Sequence, residues 1–486
     1  TEDPSRYRRV NLPNGVKVHD RTDIVAVQDE LRSIPGVTVL IHDQFCAAEL
    51  RRSRKRGQLV MPTQRIVINH RICEGCGDCG DVSNCLSVQP VETPLGRKTT
   101  IDQASCNFDM SCVEGDCPAF MTVEAGADAR PISDVEPTLE VPDPIADTAI
   151  DLVRIRLAGI GGTGVVTVAQ VLSTAAMFDG WELRGLDQTG LSQKAGPVVS
   201  DVVLTRGDRT SSNLVGQGQA DLLLGFDGLV AASDNAITAS DPDQTVAIVS
   251  HHRTPTGRMI SEPATPYPAE SIEQRLRDAT RADQIQFLDA TALATTLTGS
   301  AAQANLLLLG VAVQKGHIPV SVEAIENAIE LNGVAVEANL AALDWGRRWA
   351  HDPAFVQAHA AAKHELPATQ MVTVEPVPAA IAGRINAIVS VFDTAGPALN
   401  DTLTMLAGDL IGYQNLAYAT RFLDDVESAA AAECQAGSST GEYTETVARS
   451  MHKLMAYKDE YEVARLLLMP EGARAATEVG GTAARV

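Results

Sequence analysis

Seven cysteines lie between Cys73 and Cys117, in two runs. The first reads Cys73-x2-Cys76-x2-Cys79-x5-Cys85, the second Cys106-x5-Cys112-x4-Cys117 followed by Pro118. Thiolate sulfur is a soft donor that selects zinc or iron–sulfur clusters. Paired C-x2-C motifs often hold structural zinc. A C-x2-C-x2-C triplet with a later C-P is the pattern of bacterial two-cluster ferredoxins, where the fourth cysteine of each run crosses to the other cluster. On that template Cys73, Cys76, Cys79 and Cys117 hold one 4Fe–4S cluster, and Cys85, Cys106 and Cys112 hold the other. Asp109 stands where the eighth cysteine is expected. Carboxylate is a harder ligand than thiolate. The second site is therefore expected as 4Fe–4S with Asp109 or Cys46 as fourth ligand, or as 3Fe–4S. Gly75, Gly77 and Gly80 permit a tight loop that points sulfurs inward.

A second constellation is Gly159, Gly161, Gly162 and Gly164, which fits G-x-G-x-x-G between an apolar strand and a helix. Such a turn lets a phosphate approach a helix N-terminus. A dinucleotide reading also needs an acid at the end of the next strand, and Asp187 is available. The competing reading is a tight turn that packs helix on sheet and binds nothing.

These residues need elements to hold them. Residues 1–57 predict a small α/β piece, with a helix over 23–34, a strand over 37–43 and a basic helix or tail over 47–57 carrying Arg51, Arg52, Arg54, Lys55 and Arg56. Residues 58–125 form the cysteine module, edged by strands over 65–69 and 120–125. Residues 126–150, rich in Asp, Pro and Ala, read as a linker. Strands alternate with helices over 151–350, which predicts a mostly parallel α/β domain. Residues 351–486 predict a helical domain, with the small-residue stretch 472–486 as a frayed tail. His251–His252 reads as loop, and Cys434 as an incidental thiol.

Composition narrows the function. The chain has 486 residues, 45% apolar, with a formal net charge of −23. That acidity disfavours nucleic acid and anionic membranes as partners. No apolar run has the length of a membrane span, so a cytoplasmic location is expected. Clustered cysteines in a reducing compartment read as metal ligands rather than disulfides. The chain opens on TEDPSRY without an initiator Met, which suggests a longer polypeptide.

In this order the segments resemble the fused indolepyruvate ferredoxin oxidoreductases, a branch of the thiamine-diphosphate-dependent 2-oxoacid:ferredoxin oxidoreductases. GVTVLIHDQFCAAELRRSRKRG is similar to the end of the family's thiamine-diphosphate domain. The cysteine runs, with Asp109, are similar to its ferredoxin-like insert. AGIGGTGVVTVAQVL and DQTGLSQKAGPVVSDVVL resemble its gamma-type domain, and KLMAYKDEYEVARLLL a C-terminal domain of undefined role. The G-D-G…N motif that holds Mg²⁺ and the diphosphate has no counterpart here, so this chain alone is not expected to bind thiamine diphosphate. The resemblance implies oxidative decarboxylation of an aryl or branched 2-oxoacid to an acyl-CoA, with electrons passed to ferredoxin. It implies a thiamine-binding region or chain as partner, and a homo-oligomer. The glycine turn with Ser192 and Gly196 is then expected to line a cofactor or CoA pocket. Two alternatives are an electron-transfer subunit without its own catalytic site and an NAD-linked iron–sulfur reductase.

Overall fold

The computed structural model describes residues 1–55, 57–124, 139–144, 150–190, 196–207, 212–262, 265–363, 371–394, 396–481 and 485. The chain divides into two compact units. The first is Thr1–Pro62 with Asn107–Asp109, the second Thr63–Cys106 with Met110–Val486.

The first unit carries two helices, Ile24–Arg32 and Ala47–Lys55. Arg54 Nη1 donates to the Asn107 carbonyl at 2.9 Å. The basic helix forms as expected, with Arg52 paired to Glu49 at 2.6 Å; Arg56 lies outside the described residues. The strand predicted over 37–43 does not form. Val37, Val39 and Ile41 are 96%, 75% and 80% exposed. Their alternation marks a strand, but a strand needs hydrogen-bonding neighbours, and none pairs with it among the described residues.

The second unit begins with the cysteine module. Strand β1 (Gln64–Ile68) pairs antiparallel with β4 (Phe120–Glu124). Between them lies a hairpin of β2 (Val88–Thr93) and β3 (Gly96–Ile101). The hairpin escapes the sequence reading because Pro90, Pro94, Arg97 and Lys98 mask its alternation. A two-stranded ribbon tolerates a proline that a central strand would not.

A six-stranded sheet follows: β5 (Leu152–Ile160), β6 (Glu182–Thr189), β7 (Pro197–Thr205), β8 (Leu222–Gly225), β9 (Val246–Ser250) and β10 (Gln286–Leu288), in the order β10-β9-β8-β5-β7-β6. From β10 to β5 the strands are parallel. Strand β7 runs antiparallel to both its neighbours, so the mostly parallel sheet that the sequence suggests carries one reversed strand. The link between β6 and β7 is too short for the crossover that a parallel neighbour needs. Helix Val165–Phe178 covers the sheet with Val168, Leu172, Ala175 and Ala176, all buried. Helices Ala304–Gln314 and Val336–His351 cross at Gly310 and Gly346. A Cβ at either glycine would strike the other helix's backbone.

Four further helices, Ala379–Val389, Gly396–Tyr413, Leu416–Gln435 and Glu442–Met455, share a core of Ile385, Leu403, Leu410, Phe422, Leu423 and Val426. The predicted frayed tail is instead a helix, Pro470–Gly480. Its small residues let it lie close on the β1–β4 sheet: Ala475 and Ala476 pack on Val67 and Met121. The preceding helix, Glu460–Leu467, sends Leu466 against Ile66 and Ile68. Alternate residues of β1 point to opposite faces, so the last two helices cover both sides. Among the described residues no helix is long and apolar enough to cross a membrane.

Candidate functional site

The cysteine module repeats one plan twice. β1 leads through Cys73, Cys76 and Cys79 to a short helix, Asp78–Ser83, then to Cys85 and β2. β3 leads through Cys106 to a helical turn, Ser111–Val113, that carries Cys112, then to Cys117 and β4. The short helix packs beside that turn.

Cys73 is buried, and Cys79, Cys85, Cys106 and Cys112 are half-buried in the same core; Cys76 and Cys117 are exposed. Burial pushes the Cys79 thiol above its ordinary range, and the neighbouring Cys73 and Cys76 push it further. Partial burial raises Cys117 as well, again with Cys73 and Cys76 adding to the effect. Cys73 and Cys76 thus act electrostatically on both Cys79 and Cys117. Thiols that oppose one another's ionisation are relieved by a cationic iron centre, which binds only thiolates. The donor set therefore fits a cluster.

The loop geometry fits too. Gly75 has φ +66°, and a Cβ there would lie 2.5 Å from the Arg97 carbonyl oxygen. Its N–H points at Cys73 Sγ, 3.4 Å away. Gly77, at φ +91°, starts the short helix. Gly80 does not shape the turn: it is helical, and a Cβ there would meet only Ile260 at 3.6 Å. Among the described residues no three His, Cys, Asp or Glu side chains converge as around a lone metal ion. A four-iron cluster is larger, and its sulfurs stand farther apart. Asp109 and Cys46 belong to the first unit. Cys434 is exposed on the helix Leu416–Gln435.

The glycine turn joins β5 to the helix Val165–Phe178, which starts at Gly164 with φ +106°. Gly159 lets this helix approach the sheet: a Cβ there would meet Val165 Cγ2 at 2.8 Å and Phe226 Cβ at 3.0 Å. The Gly161 N–H donates to the Gly196 carbonyl at 2.7 Å. Gly161 and Gly196 therefore meet through their backbones. Ser192 lies outside the described residues. Gly162 is exposed, and Asn305 Nδ2 donates to the Thr163 carbonyl at 3.3 Å. Asp187 does not serve the turn as a ribose ligand would. β7 lies between β5 and β6, and Asp187 accepts a 2.6 Å bond from Ser200 Oγ.

The carboxyl ends of parallel strands are where open α/β sheets bind ligands. Here they carry a group that the sequence reading missed. Asp227 follows β8, His252 follows β9 and Asp289 follows β10. His252 Nδ1 lies 3.2 Å from Asp289 Oδ1. Burial pulls the His252 imidazole down, but Asp289 and then Asp227 outweigh it and hold its pKa above the ordinary value. Burial pushes the Asp227 carboxyl up. The group can hold and release a proton at the sheet edge. His251–His252 is loop, as read, yet its carboxylate partners come from strands distant in sequence. The legible signal was an acid just beyond each of two strands. The chain after β9 runs into a short helix, Gly257–Ser261, where the Met259 carbonyl accepts from Arg97 Nη2 of the cysteine module at 2.9 Å.

Comparison with known proteins accords with this architecture. Residues 399–486 match a family of unknown function, DUF6537. Residues 154–349 match the family described as pyruvate ferredoxin/flavodoxin oxidoreductase. The indolepyruvate oxidoreductase subunit IorB of Pyrococcus horikoshii is 27% identical over 207 residues, which are 40% of this chain and 93% of that subunit. The common gamma subunit of the pyruvate/ketoisovalerate oxidoreductases of Pyrococcus furiosus is 26% identical over 181 residues, 37% of this chain and 85% of that one. Among solved structures, the pyruvate oxidoreductase subunit PORC of Thermotoga maritima aligns over 41% of this chain and 97% of its own, at 20% identity and a TM-score of 0.31. Residues 154–349 are thus similar to the gamma-type subunits of 2-oxoacid:ferredoxin oxidoreductases.

Proposed function

We propose that this chain supplies the iron–sulfur and gamma-type parts of an indolepyruvate-type 2-oxoacid:ferredoxin oxidoreductase. The observation that supports the reading is that Cys79 and Cys117 both feel Cys73 and Cys76, in the same compact unit as residues 154–349. When bound, iron–sulfur clusters supply one-electron transfer at low potential. Cys73, Cys76, Cys79 and Cys117 hold the first on this reading, and Cys85, Cys106 and Cys112, with Asp109 or another ligand, hold the second. The Arg97–Met259 hydrogen bond ties the β2–β3 hairpin of the cysteine module to the segment that follows β9. The turn Gly159–Gly164 and Gly196 shape the wall facing substrate or CoA. His252, braced by Asp289, stands at the sheet edge as a proton acceptor. Thiamine diphosphate and Mg²⁺ are held by a thiamine-binding region or partner chain, and ferredoxin takes the electrons. A cytoplasmic homo-oligomer fits this role. The NAD-linked alternative loses support because Asp187 is engaged by Ser200.

The test is anaerobic purification or reconstitution of the full chain, with iron and acid-labile sulfide counted and electron paramagnetic resonance recorded after reduction. Two reducible clusters are expected, and a colourless zinc-loaded protein overturns the reading. Activity with arylpyruvate, CoA and a viologen dye, with and without a thiamine-binding chain, then separates an enzyme part from a bare electron carrier.

A further inference from the structure

A cavity of about 260 Å³ opens between the first cysteine loop, the β2–β3 hairpin and the helices Gly396–Tyr413 and Glu442–Met455. Its lining is basic although the chain is acidic. Six cations, Arg71, Arg97, Lys98, Arg449, Lys453 and Lys458, face three carboxylates, Glu74, Asp409 and Glu462. All three carboxylates are already engaged. Glu74 takes Lys458 at 2.5 Å and Lys453 at 3.8 Å, Asp409 takes Arg71 and His452, and Glu462 takes Arg465.

Lys98 is the odd member. It is 7% exposed, and its ammonium has no hydrogen bond or ion pair among the described residues. Burial and the charge of Lys458 pull it down to about 8, with Glu74 opposing only in part, so it is still a cation at neutral pH. A buried, unpaired ammonium is costly unless something answers its charge. Arg97 adds a guanidinium whose one side-chain hydrogen bond among the described residues is to the Met259 carbonyl, with no carboxylate partner among them. The surplus of positive charge suits a doubly charged anion. Several donors around one small space suit tetrahedral oxygens better than a planar carboxylate.

We propose that this cavity binds a phosphate dianion, free or as the terminal group of a small phosphorylated molecule, with Lys98 as its buried contact and Arg97, Lys453 and Lys458 around it. The site lies beside the Cys73–Gly75 loop, because Glu74 is the carboxylate that Lys458 holds. It does not depend on the identity of the metal group at the cysteines.

The experiment is titration calorimetry on the full chain at low salt, with inorganic phosphate and with adenosine diphosphate as probes. Saturable binding of one equivalent is expected, weakening as salt rises. Similar affinity for both probes assigns free phosphate as ligand; adenosine diphosphate binding tenfold tighter assigns the phosphoryl group of a larger molecule. Lys98→Met should weaken binding about tenfold or more. Lys453, 65% exposed at its side chain, allows Lys453→Gln as a variant that spares the fold, with a several-fold loss expected. Absence of saturable binding by either probe overturns the proposal. So does unchanged affinity in Lys98→Met and Lys453→Gln. The first result would mean that Lys98 answers only the charge of the cysteine loop.

Discussion

Asp201 on β7 stands directly opposite Arg156 on β5 and grips its guanidinium through two hydrogen bonds, of 2.8 and 2.9 Å. Both side chains are buried, and the remaining polar atoms are met by the Asn235 and Val215 carbonyls and the Val215 N–H. The pair fixes the register of β7 against β5, and that register sets Gly196 beside Gly161. Asp201→Ala leaves a buried guanidinium without its carboxylate and should cost roughly 3–5 kcal/mol. Chemical denaturation reads this directly, and a wild-type midpoint would show that the pair carries no such weight.

The first cysteine loop makes a paired prediction. Gly75 sits at positive φ with the Arg97 carbonyl against the place of its missing Cβ, whereas Gly80 is helical and open enough for a methyl group. Gly75→Ala should displace the loop from β3, at a cost of about 1–3 kcal/mol, and lower the iron retained after reconstitution. Gly80→Ala should retain iron as the parent does. Equal retention in both variants would mean that the loop does not depend on this close approach.

Much of this arrangement was legible in the sequence because its signals are local. The seven cysteines and the glycine turn declare themselves by spacing, and the strands of the six-stranded sheet by apolar runs. What was not legible depends on partners distant in the chain. The segment 37–43 has a strand's alternation but no neighbour. The antiparallel place of β7 comes from a short link, which composition does not reveal. Residues 472–480 look too small and polar for a core, yet they are helical because the β1–β4 sheet offers a flat face for Ala475 and Ala476. His252 gains its carboxylates only when β8, β9 and β10 lie side by side.

Asp409 ties the cysteine module to the helical region and makes a prediction in acid. Burial pushes its carboxyl up, but the hydrogen bond from His452 at 3.0 Å and the charge of Arg71 overcome that and hold it at about 2. The folded value is depressed below the ordinary 3.8. The stability it contributes is therefore present above about pH 4 and lost as pH falls towards 2. The size is about 2 kcal/mol. Asp409→Asn should be less stable near neutrality and should lack the part of the acid transition between pH 4 and 2. A variant with the parent's full acid profile would assign that transition to other carboxylates.

The two cysteine runs are distinguished by single substitutions. On the crossed template Cys117 serves the same cluster as Cys73, and its electrostatic coupling to Cys73 and Cys76 supports that grouping. On the same template Cys112, on the turn Ser111–Val113, is grouped with Cys85 and Cys106. Serine oxygen is a harder ligand and a weaker anchor for iron. Cys117→Ser and Cys112→Ser should therefore each lose about half of the iron, and each should abolish a different one of two resonance signals. Cys434→Ser, at an exposed position outside the module, should change neither. Loss of the same signal in Cys117→Ser and Cys112→Ser would place both cysteines on one cluster and break the crossed assignment.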